Sequence, residues 1–127
     1  MTATLLHILI ALHTLIAALS TGCLFYLYFA AFRRKHPAED RLLAFALLWP
    51  LANILLMAAN GMACPLQNAA QTLSDTPGVW VRDIYLVPES WLALVPWTYP
   101  AFFCLGAVLV FRRAQPTSKS APPPRRA

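Results

Sequence analysis

Residues 4–32 read TLLHILIALHTLIAALSTGCLFYLYFAAF, a run without a single Asp, Glu, Lys or Arg, and residues 33–37 then read RRKHP. A helix on the surface of a soluble domain keeps a charged face, and this run has none. At 1.5 Å per residue it would exceed the roughly 30 Å hydrocarbon core of a bilayer by roughly 10 Å. Tilting, or seating the first turns among headgroups, absorbs that excess. A secretory signal starts with positive charge and carries an apolar core of only about 7 to 15 residues. Met1, Thr2 and Ala3 supply no charge, so the run reads as a retained transmembrane helix.

Two more stretches repeat the pattern. The second span is expected over about 42–63, with Pro50 inside it removing one backbone hydrogen bond and predicting a kink. The third is expected over about 91–111, where Pro96 and Pro100 make the first half irregular and in need of protein neighbours. Between them lies a loop, 64–90, turned at Pro77 and Gly78. The expected fold is all-α: an integral membrane bundle of three transmembrane helices in one domain, residues 1–114. Residues 115–127, with Pro122, Pro123 and Pro124 in sequence, lack the apolar content for a core and read as a disordered basic tail.

Charge sets the expected orientation. Of the 127 residues 59% are hydrophobic and 12% charged, with ten Lys and Arg against five Asp and Glu. The charged share is about half that of an ordinary soluble domain. A formal net charge of +5 could serve nucleic acid, but the basic residues flank apolar spans as topology signals do. No nucleic-acid partner is expected; the lipid bilayer is. Arg33, Arg34, Lys35 and Arg41 lie in the first loop, Arg112, Arg113, Lys119, Arg125 and Arg126 follow the third span, and only Arg82 falls on the other side. The positive-inside rule then puts the amino terminus and the 64–90 loop outside and the tail in the cytoplasm. Trp80, Tyr85, Trp91, Trp97 and Tyr99 gather near the outer interface, with Tyr26 and Tyr28 near the inner one, as an aromatic belt requires.

Few residues carry chemistry. His7 and His13 are six apart, about 120° on a helix, so one helix face does not present both to a metal, and the other spans hold no histidine to complete a haem site. Cys23, Cys64 and Cys104 form no C-x-x-C motif. Cys64 lies at the outer end of its span, beyond disulfide reach of the others, while Cys23 and Cys104 read as small buried hydrophobes. No metal, cofactor or catalytic residue is expected. His7, Ala11, Thr14, Ala18 and Thr21 give the first helix a small, weakly polar stripe, and Asn53 and Asn60 mark one face of the second. Such faces suit close helix packing, and Asn60 could share an outer-face pocket with Cys64 and the histidines.

Within the outer loop, residues 67–74 suit one or two helical turns after Pro65, and Trp80, Ile84, Val87 and Trp91 are spaced as one face of a surface helix. Burial of Trp80, Tyr85 and Trp91 would make the loop an ordered cap, bringing Asp83 and Glu89 above that pocket. The candidate ligand site on the outer face is therefore His7, His13, Asn60, Cys64, Asp83 and Glu89.

Cys64-Pro65-Leu66 directly after a span, followed by Tyr85-Leu86-Val87-Pro88 before the last one, resembles an uncharacterised family of small bacterial membrane proteins that share a Cys-Pro-Leu motif. The resemblance covers most of the spans and the outer loop, and it implies a bacterial inner membrane. Gln67, Asn68 and Ile84 stand where members usually have Thr, Glu and His, and no activity comes with the likeness. Two readings follow from the residues. One is a non-enzymatic accessory protein whose helix faces bind a partner membrane protein or a second copy. The other is an outer-leaflet site for a redox cofactor or small ligand.

Overall fold

A computed structural model of the protein describes residues 1–76 and 88–114. Among those residues all regular structure is helical: α1 (Thr2–Phe32), α2 (Arg41–Ala59), α3 (Pro65–Leu73), α4 (Glu89–Leu92) and α5 (Val95–Arg113). Three of them, α1, α2 and α5, are long and apolar enough to cross a membrane. The expected tail and the 77–87 part of the loop, with Trp80, Asp83 and Tyr85, lie outside the described residues.

The helix ends follow from local backbone chemistry. After α1, Arg34 takes a left-handed φ of 53°, and the Lys35 N–H bonds the Ala30 carbonyl while the Arg34 N–H bonds that of Ala31. This is a Schellman ending, which satisfies carbonyls left over at a helix C-terminus. The same pair of bonds ends α2, with Gly61 at φ 67° and Met62 N–H on the Met57 carbonyl, and ends α3, with Asp75 at φ 53°. Asp40 starts α2: its Oδ1 accepts from the Leu42 and Leu43 amides at 3.0 and 3.1 Å, the preferred N-cap chemistry. Pro65 opens α3 and Pro96 lies in the first turn of α5, where a missing N–H costs nothing. As a result α2 stops at Ala59 rather than near Ala63, and α5 begins at Val95, after the short α4. The helix α2 runs on through Pro50, whose ring is fully buried.

Packing is organised around α1, which touches α2, α5 and α3; α2 also meets α5. The core joins Leu27, Ala30 and Ala31 of α1, Leu43 and Ala46 of α2, and Phe103 and Val110 of α5. Small residues let these helices approach closely. A Cβ at Gly106 would lie 3.3 Å from the Tyr28 ring and 3.5 Å from the Leu27 Cβ. Alongside that contact the Tyr28 hydroxyl donates to the Phe102 carbonyl at 2.8 Å. Farther up α1, the Trp49 indole donates to Ser20 Oγ at 3.0 Å, and Tyr99 faces the same serine. Closeness of Ser20 to Tyr99 and of Tyr28 to Phe102 makes α5 run in the direction of α1. Arg112 and Arg113 therefore finish at the same end of the bundle as Arg33 and Arg34, called here the basic end. The opposite end is the Cys64 end.

The inward face of α1 is Ile10, His13, Ser20, Cys23, Leu27, Ala30 and Ala31. The stripe of small residues expected to pack is not on it: His7, Ala11, Ala18 and Thr21 are exposed and Thr14 is half-buried. Gly22 beside them has open space where a Cβ would be. Of the two cysteines read as buried hydrophobes, Cys23 is buried but Cys104 is exposed, because α5 meets α1 through Phe103 and Gly106 instead.

Candidate functional site

At the Cys64 end the chain leaves α2 through the left-handed pair Gly61 and Met62 and turns into α3. The Asn60 side chain holds that turn, its Nδ2 donating to the Ala63 carbonyl at 2.9 Å. Cys64 is the N-cap residue of α3, with extended backbone and a carbonyl that accepts from the Gln67 amide at 3.0 Å. This geometry folds α3 back against α1. There Cys64 Sγ lies 3.5 Å from His13 Nε2, a sulfur–nitrogen hydrogen-bond distance, across 51 residues of sequence. His13 and Gln67 are both buried, each 9% exposed.

Burial pushes the Cys64 thiol up, but the hydrogen bond and charge of His13, with the Leu66 and Gln67 amides, outweigh it and leave the thiol below its ordinary value. Each cause has a plain origin. An imidazolium stabilises a thiolate by Coulomb attraction, and a helix N-terminus supplies N–H groups and positive potential to an anion beside it. An imidazole that can take the thiol proton gives the pair general-base and metal-ligand chemistry. Two ligands alone do not close a metal site of the usual four-coordinate kind, and the described residues contain no group of three or more His, Cys, Asp or Glu placed to hold an ion.

Of the six expected site residues, the structure brings His13 and Cys64 into contact. Asn60 is adjacent in the chain but engaged in the turn. His7 is exposed, almost two turns before His13 on α1, and does not join the pair. Glu89 begins α4, and Asp83 lies outside the described residues. Gln67 was not anticipated: it is buried at the α1–α3 contact, on the third residue of α3. Its signal was present in the spacing, since a residue three after a helix-capping Cys64 lies on the same side as the cap.

A second polar cluster, also unanticipated, closes the basic end. Lys35 Nζ lies 2.9 Å from Asp40 Oδ2 and donates to the Tyr26 hydroxyl at 2.8 Å, while that hydroxyl donates to Asp40 Oδ2 at 2.7 Å. The ammonium also sits 5.2 and 5.6 Å from the Tyr26 and Phe29 ring centres, within cation–π range. The Lys35 and Tyr26 hydrogen bonds hold the Asp40 carboxyl at about 2, well below the usual carboxylate range.

Taken together, fold and sites define an all-helical membrane-type bundle with three apolar helices, a thiol–imidazole contact at one end and an ion-paired turn at the other. No known family model, no curated protein and no solved structure matches the chain.

Proposed function

We propose that this chain is a small, non-enzymatic accessory protein of the bacterial inner membrane that works by lateral association with a partner membrane protein or a second copy of itself. The observation that carries this reading is the outward stripe on α1. Ala11, Ala18 and Thr21 are exposed, and Gly22 opens onto free space. Between lipid-facing helices, hydrophobicity gives no drive to associate, and small residues that let two backbones approach closely do. Thr14 and Thr21 return their hydroxyls to the Ile10 and Ala17 carbonyls at 2.7 and 2.8 Å, which keeps the stripe smooth. No Asp, Glu, Lys or Arg lies inside the three spans up to their basic ends, which argues against a charge-relay transporter.

The reading includes an amino terminus outside the cell, a cytoplasmic tail and kinship with the Cys-Pro-Leu proteins through Cys64-Pro65-Leu66. A photoreactive residue at Ala18 tests the association in native membranes. The expected product is one discrete protein adduct, absent when the probe is moved to Leu12, which is exposed but lies about 120° round α1 from Ala18. Adducts with lipid alone at both positions would contradict it.

A second reading, an outer-leaflet site for a small ligand or redox cofactor, draws support from the 3.5 Å contact between His13 and Cys64. An absorbance spectrum of the purified protein separates the two. A cofactor band lost in His13→Ala would favour the ligand site, and a featureless spectrum favours the accessory role.

A further inference from the structure

The turn between α1 and α2 is concave. Its hollow, of about 510 Å³, is lined chiefly by Arg33, Arg34, Lys35, Glu39, Asp40 and Arg41. We propose that it holds the phosphate of an anionic phospholipid, with Arg33, Arg34 and Arg41 as its partners.

Four cations face two carboxylates in this hollow, and the one ion pair among them leaves the three arginines against Glu39. Lys35 and Asp40 neutralise each other at 2.9 Å. Asp40 has no further capacity for an arginine, because Oδ2 also accepts from Tyr26 and Oδ1 caps α2. Among the described residues, Arg33, Arg34 and Arg41 form no ion pair, and Arg33 stacks 5.7 Å over the Phe29 ring. Guanidinium groups bind phosphate through paired N–H donors. The Schellman bonds that end α1 fix the Arg34 backbone in its left-handed conformation at the rim of the hollow.

The surroundings select a lipid over a free anion. Phe32 and Leu42, on either side of the turn, are 74% and 56% exposed. They belong to the spans just below the arginines, so a ligand whose phosphate sits in the hollow would lay its acyl chains against them. An amphiphile satisfies both layers, whereas inorganic phosphate satisfies one.

The test uses the full chain in zwitterionic phosphatidylcholine micelles, titrated with phosphatidylglycerol and read by native mass spectrometry. The expected result is one tightly held anionic lipid whose affinity drops at least tenfold in the Arg34→Gln, Arg41→Gln double variant. In the Arg112→Gln, Arg113→Gln control, which removes the same charge at the same end but outside the hollow, the drop should stay under threefold. Equal losses in the two variants would reduce the effect to diffuse charge and overturn the site. Displacement of the lipid by millimolar inorganic phosphate would overturn the lipid as its occupant. A photoactivatable phosphatidylglycerol on the unaltered chain gives a reading independent of variant folding: adducts should concentrate in residues 33–42, and an even spread over 33–42 and 112–113 would count against the proposal.

Discussion

The two ends of the bundle are both closed onto α1, by different chemistry. At the basic end Tyr26, Lys35 and Asp40 meet at 2.7 to 2.9 Å, with opposite charges paired and the carboxylate also capping α2. At the Cys64 end a thiol and an imidazole meet at 3.5 Å, one half-buried and the other buried. The first arrangement fixes a turn and has little left to react with. The second places a proton-exchanging pair against a helix N-terminus and holds the backbone by other means, the Asn60 turn and the α3 Schellman ending. Rigidity and reactivity are thus separated to opposite faces of the membrane-type bundle.

The strongest way to break the comparison is at Asp40. Asp40→Ala removes the cap of α2 together with the partner of Lys35 and Tyr26, and should lower stability in detergent unfolding by about 2 kcal/mol. A loss as small as that of an exposed surface change would show that the cluster fixes nothing. Acid offers the same test without mutation. Because the folded Asp40 value of about 2 lies below the ordinary 3.8, its contribution is complete above 3.8 and disappears as pH falls through about 2. An unfolding series over that window should show a decline that Asp40→Ala lacks.

His13→Ala addresses the other end. The lost hydrogen bond itself should contribute less, about 1 kcal/mol. Its chemical effect should be clear: the pH profile of Cys64 alkylation, which begins below that of an ordinary thiol, should move up when the imidazole is gone. An unmoved profile would leave Cys64 without a working partner. Cys104, exposed on α5, must be replaced by Ser so that a single accessible thiol is read.

The smallest expected effect lies between the ends. Trp49→Phe removes the indole bond to Ser20 while keeping an aromatic ring, and should cost about 0.6 kcal/mol, typical of an interhelical hydrogen bond in a membrane. Neither the Cys64 profile nor the acid decline should change, which would sharpen the claim that the two ends act separately.

The three spans were legible because absence of charge over a bilayer's width is a signal that needs no face. The facing of α1 was not. Lipid and protein neighbours are equally apolar, so hydrophobic periodicity has no polar side to point away from, and the stripe through Ala11, Ala18 and Thr21 that reads as a packing face turns outward. Some helix ends were readable and some were not: Gly61 announces a left-handed residue, while Arg34 and Asp75 adopt the same conformation under the pull of Schellman bonds. Within the site, Cys64 was marked by its place before Pro65. Its pairing with His13 depends on the angle at which α3 returns to α1, a tertiary fact with no local signature.

The separation of the two ends rests on three crossings, which put the Cys64 end and the basic end on opposite sides of the membrane. The direct measurement is a pair of topology-reporter fusions in the full chain, one at Asp75 and one at Lys119. The account predicts a periplasmic signal from the Asp75 fusion and a cytoplasmic one from Lys119, following nine basic residues against one. Signals from the same side would contradict it.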